Sequence, residues 1–324
     1  MMLLKITAAL LALAIALPAA IAQDTYPNKP IRVLVGFPPG GATDVTARIL
    51  APRLSDSLGQ QFVIDNRAGA HGNIASEIVA RAAPDGHTLL LGTISMLAIN
   101  PGLYQKLPFD PVKDFTPITI LVSLSNVFVI HPAVAAASIT DLIQLAKAKP
   151  GYLTYATSGA GSPGHLAGEL LKTMAKIDMI HIPYKGGAPA ITDLLGGQVH
   201  IMIATVPTAV PHIKSGRVKA LAVTTARRSV ALPDVPTIAE ATGFKNYESN
   251  NWYGLLAPAK TPRQIINKLN SELGAALKLP DVREKLLAQG LEPTPTTPEE
   301  FAVYLKNEIV KWSKIARDSG AKVE

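Results

Sequence analysis

The chain has 324 residues, no cysteine and a formal net charge of +7. The absence of cysteine excludes disulfides, thiol catalysis and cysteine metal sites. Its lysines and arginines are scattered and form no basic run interleaved with aromatic residues, which excludes a nucleic-acid-binding surface. A mildly positive balance suits either attraction of an acidic solute or plain solubility, and charge alone does not separate the two.

The chain begins with a predicted secretory signal peptide, residues 1–22. Lys5 precedes an apolar stretch at 6–17, and small residues follow Pro18. This is the pattern of a cleaved leader, and we expect cleavage after Ala22. The stretch is shorter than the ~20 apolar residues of a membrane span, and no later stretch is long and apolar enough. We therefore expect an exported protein that loses Lys5 and carries a charge of +6.

After the leader, apolar runs alternate with helical patterns. Predicted strands cover residues 31–36, 61–65, 88–91, 127–131, 153–156, 179–183, 200–203 and 218–223. Predicted helices between them cover residues 43–58, 74–82, 139–148, 164–176, 188–195 and 207–215. Strands that alternate with helices of this length predict an α/β fold with mostly parallel sheets, covered by helices. Ligands of such sheets bind beyond the carboxyl ends of the strands.

The first loop, residues 37–44, follows the first strand and starts at Phe37. Gly40 and Gly41 allow the backbone to expose successive N–H groups, and Thr43 adds a hydroxyl. The helix that begins here presents unpaired N–H groups and the positive end of its dipole, which together suit an anion. Asp44 would repel an anion, so we expect it to hold the loop or to contact the anion through water. The alternative is a structural turn without a ligand.

The second loop, residues 158–165, repeats this plan after the strand at 153–156. Gly159 and Gly161 give backbone freedom, while Ser158 and Ser162 offer hydroxyls to a carboxylate. His165 falls in the first turn of the next helix, where we expect it to cap or pack. Two such loops on one chain suggest that two parts of the protein close on one small anion and bind it from both sides.

The second loop also matches the glycine pattern of dinucleotide-binding turns, with glycines at 159, 161 and 164. The next strand is followed by Tyr184 and Lys185 and not by the acidic residue that would hold a ribose. An exported protein is also a poor candidate for a nicotinamide cofactor. We therefore predict no cofactor.

A third interpretation of the second loop is a hydrolase nucleophile elbow around Ser162. Histidines at 181, 200 and 212 follow in an order that a catalytic triad permits. The first glycine of the elbow pattern is replaced by Ala160, and no acidic partner is evident. An exported serine hydrolase therefore remains an alternative. No close cluster of ligand residues predicts a metal site.

The last third of the chain predicts packing helices. Thr261 and Thr297 each precede a proline and, three residues on, a Gln or Glu, which is the pattern of a capped helix start. Apolar residues recur at helical spacing behind both of them, which indicates core.

The mature chain of about 300 residues is long enough for two cores. No Gly/Ser-rich linker divides it, so we predict two lobes joined by crossing strands near 121–126 and 222–226. Lobe 1 is expected at 23–124 plus 225–324, and lobe 2 at 125–224.

Short motifs with a common family pattern recur along the whole mature chain. They include Phe37-Pro38-Pro39-Gly40-Gly41, Asp65-Asn66-Arg67-Ala68-Gly69, Ala83-Pro84-Asp85-Gly86, Pro183-Tyr184-Lys185-Gly186 and Leu232-Pro233-Asp234-Val235-Pro236. Together they resemble the Bug-type extracytoplasmic solute receptors, the binding subunits of tripartite tricarboxylate transporters.

The resemblance implies a two-lobe, periplasmic-binding-protein-like (type II) fold, with the ligand in the cleft between the lobes. It implies a small mono-, di- or tricarboxylate ligand, possibly aromatic, gripped by both loops and partly through ordered water. The implied partner is a membrane permease with one large and one small subunit, and we expect a monomer. A receptor that reports its ligand to a sensor kinase would bind the same solutes and stays an alternative.

One departure from the family bears on the ligand. Many relatives carry an acidic residue where this chain has Ala204, and His200 also replaces a common acidic residue. A cleft without that carboxylate selects less well for an amine, so we expect a non-amino carboxylic acid. Ser95, Tyr184 and Thr205 complete the predicted ligand-binding set, and Phe37, Tyr184 and the pair Trp252-Tyr253 are candidates for its aromatic wall.

Overall fold

The computed structural model describes residues 26–318, so the predicted leader and its cleavage site lie outside the described residues. The strands are β1 (Ile31–Val35), β2 (Phe62–Asn66), β3 (Thr88–Thr93), β4 (Phe115–Ile130), β5 (Thr154–Thr157), β6 (Ile180–Pro183), β7 (Ile201–Thr205), β8 (Lys219–Val223), β9 (Asn250–Pro258) and β10 (Leu291–Pro293). The helices are α1 (Ala42–Leu58), α2 (Asn73–Ala80), α3 (Asn100–Leu103), α4 (Ile139–Ala148), α5 (Pro163–Ala175), α6 (Gly187–Leu195), α7 (Val206–Lys214), α8 (Ile238–Thr242), α9 (Arg263–Ala276), α10 (Pro280–Ala288) and α11 (Pro298–Asp318). A 3₁₀ turn at Ala70–Gly72 precedes α2, and a π-helical turn at Ser95–Ile99 precedes α3.

The strands form two sheets joined by the long strand β4. The first sheet has the order β2-β1-β3-β9-β4, and β10 pairs with β4. The second sheet follows from the other half of β4 through β7 and β5 to β6, while β8 also pairs with β4. This is the predicted α/β fold with two lobes.

The predicted parallel pairing is found in the outer parts of both sheets. β1 pairs in parallel with β2 and β3, and β5 does so with β6 and β7. β4 and β9 instead pair antiparallel with each other and with their neighbours β3, β7 and β8. The sheets are therefore mixed, because the strands that join the lobes run against the parallel set.

The strand β4 changes its pairing partners within the segment 121–126 that was proposed as the first crossing. β4 pairs with β9 of the first sheet up to Ser125 and with β7 of the second sheet from Asn126 onward. The second crossing was predicted at 222–226. Ile238 and Tyr247 still pack in the core of the second lobe, and the chain joins the first sheet only at Asn250. The division of the chain at 225 remains a prediction, and this packing favours a boundary at Asn250.

Each sheet is buried on both faces, which explains why its strands are continuous apolar runs. On β1, Val33 and Leu34 belong to different core clusters on opposite faces. On β4, Phe128 and Val129 divide in the same way.

Local capping explains where several helices begin. Ser138 and Asp141 form a reciprocal capping box that starts α4 at the predicted residue. The predicted box at Thr297 is confirmed, since its hydroxyl accepts the Glu300 N–H and the Glu300 carboxylate accepts the Thr297 N–H. The cap predicted at Thr261 is not formed, because the Thr261 hydroxyl donates to the Pro258 carbonyl. Within residues 26–318, no helix combines the length and apolarity that a bilayer crossing needs.

Candidate functional site

The two predicted loops meet at a cavity between the lobes, which we call the inner cavity. Its volume is about 50 Å³. The lining residues are Phe37, Pro38, Gly41, Ala42, Thr43, Thr93, Ser95, Asn126, Ser158, Pro163, Gly187, Met202, Ile203, Ala204, Thr205, Thr208, Asn251 and Tyr253. A single water molecule needs a cavity of ~10–15 Å³, so the inner cavity has room for roughly four. Only a compact molecule fits without the lobes moving apart.

Four helices begin at the wall of the inner cavity. Ala42 starts α1, Pro163 starts α5, Gly187 starts α6, and Thr205 is the residue before α7. The first turn of a helix carries unpaired N–H groups and the positive end of the helix dipole. Four helix N-termini around one small cavity favour a negatively charged ligand. The sequence predicted two of them, at α1 and α5.

The side chains around the inner cavity are uncharged. Among the described residues that line it, none is an Asp, Glu, Lys, Arg or His. Ala204, the departure noted in the sequence, lies at the wall and is almost fully buried. An ammonium group would find no carboxylate in this lining, whereas a carboxylate would find hydroxyls, amides and helix N-termini.

The predicted ligand-binding residues divide into two groups. Six of them line the inner cavity, namely Phe37, Gly41, Thr43, Ser95, Ser158 and Thr205. Seven lie behind or beside it, namely Gly40, Asp44, Gly159, Gly161, Ser162, His165 and Tyr184. Contact of either group with a ligand stays a prediction.

Asp44 holds the first loop, which is one of its two expected roles. Its Oδ2 accepts the Gly40 N–H at 3.0 Å and the Arg48 Nε–H at 2.8 Å. Burial alone would raise the pKa of this carboxyl, but the hydrogen bonds from Arg48, Gly40 and Asn66 outweigh it and hold the pKa below its usual value. Asp44 is therefore an anion that fixes the backbone donors of the loop.

Ser162 and His165 hold the second loop in a similar way. Ser162 is fully buried, and its Oγ accepts the His165 N–H at 3.2 Å as the N-cap of α5. The His165 ring accepts at Nδ1 from the Gly161 N–H at 3.0 Å. The ring therefore serves the backbone of the loop and not the Ser162 hydroxyl, so this geometry does not favour the hydrolase alternative.

Tyr184 lies at an outer cavity of about 550 Å³ that shares Phe37, Pro38 and Ser158 with the inner cavity. The Tyr184 hydroxyl donates to Asp193 Oδ2 at 2.7 Å. Burial and this neighbouring carboxylate raise the pKa of Tyr184 to about 12. Tyr184 thus lines the approach to the inner cavity and not its wall.

The two loops touch the opposite lobe, so the structure is that of closed lobes. A Cβ placed on Gly159 of lobe 2 would lie 2.7 Å from Nε2 of His71 in lobe 1. A Cβ on Gly186 would lie 2.8 Å from Cδ of Pro38. Leu166 of α5 belongs to a core cluster formed mainly by lobe 1. Glycine is therefore required where the lobes meet.

Three histidines gather at this contact between the lobes. The rings of His165 and His181 stack with centroids 4.0 Å apart. Burial, together with neighbouring His165, lowers the pKa of His71 to about 4 and that of His181 to about 3. Burial also lowers the pKa of His165, against the opposing charge of Glu169. The cluster is therefore neutral when the lobes are closed at neutral pH.

We expect the free energy of unfolding to fall as the pH drops from about 7 to about 4.5. An unfolded histidine takes up a proton near pH ~6.5, whereas His71 and His181 stay neutral in the fold down to about 4 and 3. The unfolded state then binds more protons, so acid favours it. Urea unfolding across this window measures the slope. His181→Gln, which keeps a polar group beside Thr157 but does not titrate, should show a smaller slope, and an unchanged slope would contradict the assignment.

Several lining residues were not predicted. Asn126 and Asn251 lie on the crossing strands β4 and β9, Thr93 is the last residue of β3, and Thr208 lies in the first turn of α7. Asn126 had a signal in the sequence, because asparagine is depleted from strands and stands here directly before the apolar run at 127–130. Of the predicted aromatic pair, Tyr253 lines the inner cavity, whereas Trp252 is buried elsewhere and its Nε1–H donates to Glu308.

The chain is similar to one protein family along most of its length, and to solved structures of proteins with bound carboxylates. The family model described as "Tripartite tricarboxylate transporter family receptor" matches residues 46–321. Protein BugT of Bordetella pertussis is 41% identical over 309 residues, which cover 94% of each chain. The structure of R. palustris Rpa4515 with adipate is similar with a TM-score of 0.89 at 39% identity, covering 92% of this chain and 100% of that one. MatC from Rhodopseudomonas palustris with bound malate is similar with a TM-score of 0.83 at 33% identity, covering 90% and 99%.

Proposed function

Because this chain belongs to the tripartite tricarboxylate transporter receptor family, in its Bug-type branch, we propose that it captures a small organic carboxylate in the periplasm. It reaches that compartment after cleavage behind Ala22 and delivers its ligand to a permease of one large and one small membrane subunit. The observation that carries the proposal is the convergence of four helix N-termini on an inner cavity without a charged side chain among the described lining residues.

The binding energy for such a ligand can come from neutral donors alone. Micromolar affinity corresponds to ~8 kcal/mol. A hydrogen bond to a charged group contributes about 1.5–3 kcal/mol before ordering costs. The N–H groups at Gly41 and Ala42, with the hydroxyls of Thr43, Ser158 and Thr205, supply several such donors from both lobes. No covalent chemistry is required.

The ligand class is a mono-, di- or tricarboxylate without an amine, and an aromatic body is allowed. The relatives with adipate and with malate hold acids of this class. Ala204 supports the exclusion of amines, because it places an apolar methyl group where a carboxylate would be needed. Phe37 and Tyr253 offer the aromatic surface for a ring or an alkyl chain.

The lobes open and close about the crossing strands β4 and β9, with lobe 2 running from Asn126 to Ser249. A ligand shifts the equilibrium towards the closed form only by contacts that it makes with both lobes. The second loop and α6 supply the contacts from lobe 2, and the first loop supplies those from lobe 1. The closed form is the state that a permease would recognise.

Stabilisation by carboxylates tests the proposal. The mature chain should resist thermal unfolding in the presence of one or more compact carboxylates, by ~2.7 kcal/mol at a hundredfold excess over the dissociation constant. A thermal-shift panel of mono-, di-, tri- and aromatic carboxylates, with matched amino acids and sugars as controls, measures it. Stabilisation by amino acids or sugars alone would refute the proposal.

A further inference from the structure

Two polar atoms at the inner cavity are buried and have no partner. They are Nδ2 of Asn126, a donor, and Oδ1 of Asn251, an acceptor. Asn126 is 1% exposed and Asn251 4% exposed. Among the described residues that line the inner cavity, no other has such an atom. A buried polar group without a partner destabilises a fold, so these two need an explanation.

The two side chains are neighbours on one face of the sheet. In the antiparallel pairing of β4 and β9, Asn251 lies opposite Leu124. Asn126 is two residues further along β4 and so occupies the diagonal position, where Cα atoms are ~7–8 Å apart. A single small group placed between the two side chains can therefore contact both.

Their place in the fold separates them from the anion-binding loops. Asn126 is the first β4 residue to pair with β7 of lobe 2, and Asn251 lies one residue after the start of β9. Both therefore stand on the strands that join the lobes, whereas the donors for a carboxylate come from the ends of α1, α5, α6 and α7. The inner cavity thus has two parts, the helix N-termini that suit an anion and the neutral polar side chains of Asn126 and Asn251.

We propose that Asn126 and Asn251 form a second subsite that binds a hydroxyl group on the ligand, remote from its carboxylate. This inference rests on the proposed function. One hydroxyl oxygen accepts from Asn126 Nδ2 and donates to Asn251 Oδ1, which satisfies both atoms together. An ionised second carboxylate accepts only and would leave Asn251 Oδ1 facing a negative charge. The preferred ligand is a hydroxy acid or a phenolic acid.

Matched pairs of acids test the subsite by calorimetric titration. The pairs are propionate and 3-hydroxypropionate, butyrate and 4-hydroxybutyrate, and benzoate and 4-hydroxybenzoate, with succinate as the doubly ionised analogue. In at least one pair we expect the wild-type chain to bind the hydroxylated acid at least about tenfold more tightly. The acid without the hydroxyl leaves the side-chain amides of Asn126 and Asn251 unpaired. Succinate should bind more weakly than 4-hydroxybutyrate.

Variants assign the preference to the two amides. Asn126→Leu and Asn251→Leu should reduce the ratio of affinities to about one. Asn250→Leu is the matched control and should keep the ratio, since Asn250 is exposed, bonds to Glu248 and does not line the inner cavity. Thermal unfolding without ligand checks the fold, and Asn126→Ala replaces Asn126→Leu if the larger side chain prevents folding.

The outcomes distinguish a failure of the proposed subsite from a failure of the proposed function. Equal binding within every pair, a preference that survives both leucine variants, or tighter binding of succinate than of 4-hydroxybutyrate would overturn the subsite while leaving a carboxylate receptor. Failure of the wild-type chain to bind any carboxylate, in this set or in the thermal-shift panel, would overturn the proposed function and the subsite with it.

Discussion

Replacing Gly164 with alanine should weaken binding of the ligand by about 100-fold, because it displaces one of the four helix ends. Gly164 is the second residue of α5 and packs directly on β7. A Cβ at this position would lie 2.5 Å from the carbonyl oxygen of Ile203. That oxygen belongs to a strand inside the sheet and cannot move aside as a side chain would. The helix must shift instead and take the second loop with it.

Titration of the variant with the acid that gives the largest thermal shift measures this effect. Gly196→Ala in the same lobe is the matched control, since its Cβ would meet nothing nearer than 3.6 Å and its φ is −82°. The control should bind within about twofold of the wild-type chain. If Gly164→Ala bound as tightly as the control, the N-terminus of α5 would not be part of the binding site.

Replacing Ala204 with aspartate should weaken binding of a carboxylate by more than about 100-fold. Ala204 is 1% exposed and lies at the wall of the uncharged inner cavity. Two like charges about 5 Å apart repel by ~3 kcal/mol at an effective dielectric constant of ~20, which describes charge pairs in proteins even at buried sites. The new carboxylate would oppose the very charge that the helix ends attract.

Ala204→Asn separates the charge from the added bulk, because asparagine has nearly the same shape as aspartate. The expected difference between the two variants is about 3 kcal/mol in binding free energy, measured by calorimetry with the same acid. Equal losses in both variants would show that steric exclusion, and not charge, governs the site.

Much of the fold could be predicted because its signals are local. The helix α4 is an example, since Ser138 and Asp141 mark its start and the spacing of its apolar residues predicts the helix that follows. The strand β9 was missed because it starts with two asparagines and contains Gly254, and both residue types are depleted from strands. Its identity as a strand depends on pairing with β3 and β4, which are distant in sequence.

The candidate site could be predicted only in part. The loops at Gly41 and Ser158 carry a recognisable strand–glycine–helix pattern and do line the inner cavity. The contribution of Asn251 depends on how β9 crosses between lobes, which no local pattern reveals. Ser162 was predicted as a ligand contact because it is a hydroxyl in a glycine-rich loop. Its hydroxyl caps α5, which no local pattern distinguished from a ligand contact, and its contact with a ligand stays a prediction.

The shared strand has a consequence for how this protein can be taken apart. β4 supplies hydrogen-bonding partners to β9 along its first part and to β7 and β8 along its last part. If the chain were cut between the lobes, each fragment would have unpaired backbone N–H and C=O groups along an apolar strand. Such an exposed strand edge promotes aggregation. Expression of either half alone should therefore yield inclusion bodies and not a miniature receptor.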